Sequence, residues 1–376
     1  MNTRLFGREV TLAPRARLEC RMEALGKNYR ALHARAGCEV MAVVKANAYG
    51  HGAVPIAARL YAEGCRRFAV TDLCEAVVLR DALRDPAAEI LVLGNVPPEG
   101  ARLAAAAGIT LTVHAAGEAE AYANAVGGAV LSVHVKLNSG MNRAGLSLLP
   151  ADLGATLSAV LMTAAAPRLR LTGVYSHLAT ADEAAHPLTE CQLARFRAAV
   201  ELLACRGVRA PAHIAASAAL LSRGNCGYPI VRAGLALYGY DPCGGVGELM
   251  PVGRLVAPIC EVHTLPPGEA VGYGATFRSA RTERVGLVPL GYADGLPRSA
   301  NGACVRVGGV RVPIIGRVSM DTAALCLTDL PRGTPCREAV VCGDDPGDLS
   351  ALCAAAGRIP YEILAGLGPR IERIYQ

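Results

Sequence analysis

The feature that most constrains the fold of this chain is an alternation of short apolar segments with helical patterns, repeated eight times. The apolar segments are rich in Val, Ile, Leu and Ala and are bounded by polar or glycine-containing turns. They lie at Glu39–Val44, Arg67–Thr71, Glu89–Gly94, Ile109–His114, Val130–Leu137, Leu169–His177, Ala212–Ala216 and Ile230–Gly234. Because strands that alternate with helices pair in parallel, eight such units in about 200 residues predict an α/β fold, a TIM-type (β/α)8 barrel.

The segments between the strands show helical periodicity. Predicted helices cover Leu18–Ala36, Ala53–Glu63, Asp72–Arg84, Glu99–Ala107, Glu118–Val126, part of Leu148–Leu161, and Gln192–Arg206. Asp72 is a residue type that caps a helix N-terminus with its side chain. Ahead of the first helix, Val10–Pro14 predicts a short isolated strand.

The pattern changes after Tyr240. Six Pro and Gly residues between Pro242 and Gly253 indicate a loop. Beyond it, short apolar runs are separated by Gly and Pro at Ile259–Leu265, Arg284–Leu290, Ala303–Val307, Val310–Ile315 and Ala323–Leu327. We therefore predict a barrel over residues 11–240 and a mostly β C-terminal domain over residues 241–376, with residues 1–10 as a candidate further strand of the β domain.

Composition excludes several classes of protein. The net charge of +6 is modest, and no basic run carries interleaved aromatic residues, so nucleic acid is not an expected partner. The longest charge-free apolar segment, Leu153–Pro167, is too short to cross a bilayer, and Met1–Glu9 lacks the apolar core of a secretory signal. The fourteen cysteines form no CxxC pair. We expect reduced thiols, a cytoplasmic location and no metal site.

Lys45 is the most informative single residue. It comes at the end of the first apolar strand and precedes a turn that ends in Gly50-His51-Gly52. Burial disfavours a charged amine, so a lysine here can be neutral near physiological pH and able to form a Schiff base or accept a proton. The alternative is a lysine whose amine reaches solvent at the strand end.

Active sites of such barrels lie at the C-terminal ends of the strands, so polar residues at these ends are expected to converge. They are Lys45, Tyr49, Lys136, Asn138, Met141, Arg143, His177, Ser217, Arg232 and Gly234. Cations, hydroxyls and glycine-flanked backbone N–H groups suit an anionic ligand such as a phosphate. No Asp or Glu stands at these ends, which argues against glycoside hydrolysis and against a magnesium site.

Eight motifs in the same order across both predicted domains resemble the alanine racemase family, pyridoxal 5′-phosphate enzymes of fold type III. They are Val43–Gly52, Lys136–Arg143, Tyr175–Asp182, Val231–Gly234, Gly272–Phe277, Gly291–Gly295, Gly316–Asp321 and Pro360–Glu362. The resemblance implies a barrel with a β domain, a homodimer with shared active sites, and interconversion of L- and D-alanine. D-alanine supply for peptidoglycan and alanine catabolism are both compatible roles.

The resemblance also implies roles for individual residues. Lys45 is expected to bind the cofactor covalently and to be one catalytic base, and Tyr273 of the partner subunit is expected to be the other. The remaining implied residues are Tyr49, Ser217, Gly234 and Tyr361 for the phosphate, Arg232 for the pyridine nitrogen, His177 for orientation of Tyr273 and Arg232, and Arg143 and Met320 for the substrate carboxylate, Met320 from the partner subunit. Lys136 matches a lysine that is carbamylated in many family members.

Two alternative functions remain open, and the sequence differs from the family pattern at one place near Lys136. The same scaffold suits a racemase for serine or for a broader set of amino acids, because a methylene or hydroxyl changes pocket discrimination by only about 1–3 kcal/mol. A non-catalytic pyridoxal phosphate carrier is the second alternative, although such carriers resemble the barrel alone. Asn138 and Asn142 stand where the family commonly has Asp and Gly, which alters the charge near Lys136.

Overall fold

A computed structural model describes residues 2–5, 8–11, 15–183, 185–244 and 249–376. The chain folds into a parallel barrel followed by a mostly β domain, which confirms the predicted fold class. Within the described ranges, no helix combines the length and apolar character that a membrane crossing requires.

The barrel is built from eight parallel strands. They are β1 (Glu39–Val43), β2 (Arg67–Val70), β3 (Glu89–Val92), β4 (Ile109–Val113), β5 (Leu131–Asn138), β6 (Leu169–Tyr175), β7 (Ala212–His213) and β8 (Ile230–Ala233). Each strand pairs with the next from β1 to β7, and β8 pairs with β1. The last gap closes just beyond β7, where the Arg232 N–H donates to the Ala215 carbonyl at 3.0 Å. Arg232 is therefore fixed at the seam of the barrel.

Helices cover the outside of the barrel. Their bounds are Met22–Ala36, Ala53–Ala62, Leu73–Leu83, Ala101–Ala106, Glu118–Ala125, Leu153–Ala165, Pro187–Cys205 and Ser217–Arg223. Asp72 caps its helix as predicted, accepting the Glu75 N–H at 2.9 Å. The first helix begins at Met22, so the predicted start at Leu18 is wrong. Alternate residues Leu18 and Cys20 are buried, because this segment is a strand.

The β domain is organised around one nine-stranded sheet. In spatial order its strands are Glu261–Leu265, Glu283–Val288, Ala323–Cys326, Val310–Ile315, Cys304–Val307, Glu338–Cys342, Gly253–Pro258, Arg17–Cys20 and Glu372–Tyr375. All neighbours are antiparallel except the last pair. Two helices, Pro346–Ala356 and Pro360–Ala365, accompany the sheet. Arg17–Cys20 shows that a segment ahead of the barrel completes this domain.

The extreme N-terminus forms a separate hairpin. Asn2–Leu5 pairs antiparallel with Arg8–Thr11, and in the described part of the chain neither strand pairs with another. The β-domain strand that precedes the barrel is thus Arg17–Cys20, and the described residues among 1–10 are not part of that sheet. Residues 12–14, the remainder of the predicted strand Val10–Pro14, lie outside the described residues.

The C-terminal segment packs directly against the turn that follows β1. Tyr375 Oη donates to the His51 carbonyl at 3.1 Å, and Arg373 Nε donates to the Gly50 carbonyl at 3.0 Å. A side chain at Gly50 would collide with the Leu364 carbonyl, and one at Gly52 would collide with the Tyr375 hydroxyl. These close approaches explain the two glycines of this motif, and they place the helix Pro360–Ala365 beside the barrel mouth.

Candidate active site

Five cationic or imidazole side chains converge at the C-terminal end of the barrel. They are Lys45, Lys136, Arg143, His177 and Arg232, and the charges of the two arginines lower the pKa of Lys45, Lys136 and His177. A cavity at this end is lined by Lys136, Leu137, Asn138, Met141, Arg143, Ala144, Ser176 and His177. The rule that active-site residues lie at the C-terminal ends of the barrel strands therefore predicted that these side chains lie close together.

Lys45 begins a turn of unusual handedness. The four residues that follow it, Ala46 to Tyr49, all have φ between 51° and 55°. For residues other than glycine, a left-handed turn costs about 1–2 kcal/mol per residue, so it needs outside support. Glu75 accepts the Asn47 N–H at 3.4 Å and the Thr71 N–H at 2.8 Å. The sequence predicted a turn here but not its handedness.

His51 supplies further support for this turn. Its Nδ1 lies 3.1 Å from the Ala48 carbonyl and 2.8 Å from the Tyr49 carbonyl. Because carbonyls only accept, Nδ1 carries the proton. Complete burial lowers the pKa of His51 to about 4, so the ring is neutral, and it stacks on Tyr238 with a ring-centroid distance of 4.8 Å. His51 thus holds the reactive turn without bringing another charge to the mouth.

The electrostatics of the mouth favour a neutral amine at Lys45. Burial lowers the pKa of this amine, and the positive charges of Arg143 and Arg232 lower it further, whereas Glu75 opposes them. Neutral amines bind carbonyl carbon and accept protons. Lys45 is therefore suited to nucleophilic and base chemistry.

Hydroxyl and backbone groups form a compact cradle at the end of β8. Ser217 Oγ accepts the Gly234 N–H at 2.9 Å and the Ala236 N–H at 3.3 Å. The Tyr49 ring lies 6.1 Å from the Tyr361 ring. Burial raises the pKa of both phenols, that of Tyr361 to about 12, so both remain hydrogen-bond donors. Such a donor set suits a phosphate.

Gly234 keeps the cradle open, which gives a first testable prediction. A Cβ on Gly234 would lie 2.6 Å from Tyr49 Oη. We expect Gly234→Ala to weaken the binding of pyridoxal phosphate by about tenfold or more, since overpacking a rigid site costs about 1–3 kcal/mol. The measurement is a titration of apoprotein followed by visible absorbance.

Gly154→Ala is the matched control. Gly154 lies exposed in a barrel helix, and its added Cβ would meet no atom within 4 Å. Equal cofactor affinity in both variants would show that Gly234 is not part of the cradle.

Arg232 is buried at the barrel seam with a relative exposure of 3%. It donates from Nη2 to the Ser176 carbonyl at 2.7 Å and to His177 Nδ1 at 3.1 Å, and from Nη1 to His213 Nδ1 at 2.6 Å. Among the described residues its Nε–H has no partner and no carboxylate contacts it. Burial lowers its pKa to about 10, so the guanidinium remains charged at neutral pH.

His177 and Lys136 complete the interior of the mouth. Burial, reinforced by Arg232 and Arg143, lowers the pKa of His177 well below its usual value, so this imidazole is neutral. Burial and the same two arginines lower the pKa of Lys136 to about 8. Asn138 gives no compensating charge because its amide is neutral, and its side-chain oxygen accepts the Gly140 and Asn142 N–H groups at 3.1 and 3.0 Å.

Tyr273 and Met320 lie on the β domain, away from this cluster. Tyr273 is 67% exposed and Met320 is 52% exposed. In the described part of the chain, neither side chain has a recorded interaction with Lys45, Lys136 or Arg232. A single chain thus brings together the barrel residues of the predicted site and leaves these two facing solvent.

Sequence reasoning missed several residues that shape the site. Glu75 stabilises the turn at Lys45, and the Asp72-x-x-Glu75 capping pattern could have drawn attention to it. His134 and His213 lie inside the barrel next to Arg232, where the only signal is a polar residue within an apolar strand. Among the described residues, no three His, Cys, Asp or Glu side chains are placed to hold a metal ion.

Fold and site together define a class of protein, a barrel enzyme with a reactive lysine beside an anion-binding cradle. A family model described as the N-terminal domain of alanine racemase matches residues 20–242, and one described as the C-terminal domain matches residues 252–375. The chain belongs to the alanine racemase family, whose members are amino acid isomerases.

Individual relatives match over nearly the whole chain. The alanine racemase of Symbiobacterium thermophilum is 37% identical over 95% of this chain and 96% of its own. The alanine racemase structure from Streptomyces coelicolor superimposes with a TM-score of 0.89 at 36% identity, covering 96% of this chain and 97% of its own. That from Bartonella henselae, with covalently bound pyridoxal phosphate, has a TM-score of 0.87 at 29% identity, covering 97% of this chain and 100% of its own.

Proposed function

We propose that this protein interconverts L- and D-alanine with pyridoxal phosphate, using Lys45 and Tyr273 of the partner subunit as two bases. The observation that carries the proposal is a buried Arg232, which no carboxylate contacts directly among the described residues, at the same barrel mouth as an amine whose pKa is lowered. The family and the covalent cofactor of the Bartonella henselae relative support it.

The residues present fit this cofactor at each of its ends. Lys45 offers the amine for its aldehyde, and the hydroxyls of Tyr49, Ser217 and Tyr361 would donate to its phosphate in the space that Gly234 leaves open. The Nε–H of Arg232, which has no partner among the described residues, would be available to the pyridine nitrogen. When bound, pyridoxal phosphate supplies the electron sink for proton removal from carbon.

Two bases are needed because racemisation removes a proton from one face of the α-carbon and returns one to the other. Lys45 Nζ is proposed to serve one face and Tyr273 Oη of the partner subunit the other. His177 is proposed to orient Tyr273, since its Nδ1 is held by Arg232 and its Nε2–H is thereby left to face the mouth. Arg143, with backbone near Met320 of the partner subunit, is proposed to bind the substrate carboxylate.

A homodimer is part of this proposal, because the proposed second base lies on the β domain and away from the barrel mouth of its own chain. Tyr273, Tyr292 and Met320 are large exposed side chains on the β domain. At the barrel mouth of the same chain, burial raises the pKa of Tyr49, Tyr175 and Tyr361, which makes these phenols poor bases. Joining the β domain of one subunit to the mouth of another would supply the missing group.

The test is proton NMR of the holoenzyme with L-alanine in heavy water, together with a chiral assay of the product. Loss of the α-proton signal with appearance of D-alanine is expected. Exchange without inversion would contradict the two-base mechanism. If the enzyme does not exchange the α-proton of alanine but racemises serine or another amino acid, that amino acid is the substrate and the alanine assignment is wrong.

Lys136 is proposed to carry a carbamate, formed when its nitrogen bonds to the carbon of CO₂ and releases a proton. Only a neutral amine attacks CO₂, and the pKa of about 8 leaves a large neutral fraction at pH 8 and little at pH 6. The resulting carboxylate would compensate Arg143, for which Asn138 provides no charge.

We expect ¹³C NMR with labelled bicarbonate to show one carbamate signal per chain, several-fold larger at pH 8 than at pH 6. Lys136→Met should remove this signal, whereas Lys27→Arg on the exposed surface should keep it. A missing signal at pH 8 in the wild type would contradict the carbamate.

The cytoplasm is the proposed location, since all fourteen cysteines are free thiols. Supply of D-alanine for peptidoglycan is the proposed role, with alanine catabolism as the alternative.

A further inference from the structure

A continuous row of polar side chains runs through the barrel behind Arg232. Arg232 Nη1 lies 2.6 Å from His213 Nδ1, and His213 Nε2 lies 3.1 Å from His134 Nδ1. His134 Nε2 lies 3.1 Å from Glu89 Oε1. Glu89 is at the start of β3, at the opposite end of the barrel from the active site. We call Glu89, His134 and His213 the interior relay.

The chemistry of the groups assigns every proton in this row. A guanidinium only donates, so His213 Nδ1 accepts and its proton is on Nε2. His213 Nε2 then donates to His134 Nδ1, and the His134 proton is left on Nε2, where it faces the carboxylate. All donors therefore point from Arg232 towards Glu89. If His134 were doubly protonated, its Nδ1–H would face the Nε2–H of His213, and two donors would repel each other.

The surrounding residues fit the relay closely. His134 and His213 are fully buried, and the Tyr175 ring stacks on His213 with centroids 5.0 Å apart. A Cβ on Gly173 would lie 2.5–2.6 Å from the His134 ring, so the adjacent strand leaves room for this imidazole. Burial lowers the pKa of His213 well below its usual value, in keeping with a neutral ring.

Glu89 remains ionised at the far end. Burial raises the pKa of its carboxyl, but the contacts with His134 and Arg67 outweigh burial and the net shift is downward. Arg67 also contacts Glu39, which does not reach the relay. A carboxylate thus stands at one end of the row and a guanidinium with only neutral partners at the other.

We propose that Glu89 is the counter-ion of Arg232 and acts through His134 and His213. The Arg232–His213 and His213–His134 hydrogen bonds strengthen each other in a low-dielectric interior, and the Glu89 carboxylate acts on His134 as a charge 3.1 Å from its Nε2. The three are positioning residues, which orient Arg232 and compensate its charge from behind while its mouth-facing side stays free. The catalytic consequence rests on the proposed function, in which Arg232 faces the cofactor.

The proton assignment can be measured without reference to activity. In ¹⁵N-histidine-labelled holoenzyme, protonated and bare ring nitrogens give well-separated signals, and the chain has eight histidines. His134→Gln and His213→Gln assign the two of interest. We expect both rings to carry their single proton on Nε2. A proton on Nδ1 of either ring, or a doubly protonated His134, would overturn the proposal.

Glu89→Gln tests the charge, since the amide keeps the size and shape of the side chain and removes only its negative charge. We expect kcat to fall about tenfold with KM within about twofold, because a neutral amide no longer provides the Coulomb attraction that compensates Arg232. Glu39→Gln, which removes the other carboxylate on Arg67, should retain wild-type kcat. Equal kcat in the two variants would contradict the counter-ion role.

Further measurements separate this result from misfolding and from a wrong function. Thermal unfolding shows whether Glu89→Gln is folded, and Glu89→Asp, which keeps the charge, should be more active than Glu89→Gln. If Glu89→Gln does not fold, the wild-type tautomers still decide the relay. A wild type that racemises no amino acid would overturn the proposed function, and the tautomers would again stand as the test of the relay.

Discussion

Replacing Lys45 by arginine is expected to lower kcat for alanine racemisation by at least about 10⁴-fold. Arginine stays protonated and cannot bind a carbonyl carbon or accept a proton, whereas burial and neighbouring arginines lower the pKa of Lys45. The variant should also fail to retain cofactor on the chain. Borohydride reduction of the wild type followed by peptide mapping should place the cofactor on Lys45.

The chain itself makes this experiment sharp, because it contains only three lysines, at positions 27, 45 and 136. Lys27 is exposed on the helix Met22–Ala36, so Lys27→Arg is the control and should keep both activity and labelling. Cofactor mapped to Lys136, or substantial turnover by Lys45→Arg, would refute the assignment.

Tyr273→Phe is expected to lower kcat by about 10²–10⁴-fold, the usual contribution of one acid–base group. The variant should still exchange the α-proton from one face, since Lys45 remains. Tyr273 is widely exposed in the single chain, and this exposure is the structural reason to assign it to the neighbouring active site. Mixing of variant subunits tests whether Tyr273 acts in the active site of its own chain or in that of the partner subunit.

Mixing Lys45→Arg and Tyr273→Phe subunits should restore about a quarter of the wild-type activity. A statistical mixture contains about half heterodimers, and each has one site with an intact Lys45 and an intact partner tyrosine. If Tyr273 served its own chain, every site would lack one base and activity would not return. Tyr292→Phe, on the same exposed face, is the control and should not need complementation.

Most of the barrel could be predicted because its signals are local. Each strand is a short apolar run between turn residues, and the predicted and observed bounds of β1 to β8 differ by a few residues at most. The rule that site residues follow parallel strands then grouped Lys45, Arg143 and Arg232 correctly in space, without any long-range information.

Other features required the three-dimensional structure. Arg17–Cys20 became a strand because it pairs with Gly253–Pro258 and Glu372–Tyr375, more than 200 positions away. The left-handed turn after Lys45 depends on Glu75 and on the packing of His51. The strand pairing and the Glu75 contact join segments far apart in the sequence, and the position of the His51 ring depends on its packing against Tyr238, so these features were not predicted from local patterns.

The sequence by itself determined the architecture and the set of chemical groups at the barrel mouth, since periodicity and strand-end position are properties of neighbouring residues. The sequence indicated a neutral form for Lys45 only, and the tertiary structure decided which charges surround each of these groups. Burial and the convergence of cations lower the pKa of Lys45 and Lys136 and neutralise His177, and the interior relay links Arg232 to Glu89. These pKa shifts depend on desolvation and on the distances between charges, and both are set by contacts between residues that are far apart in the sequence.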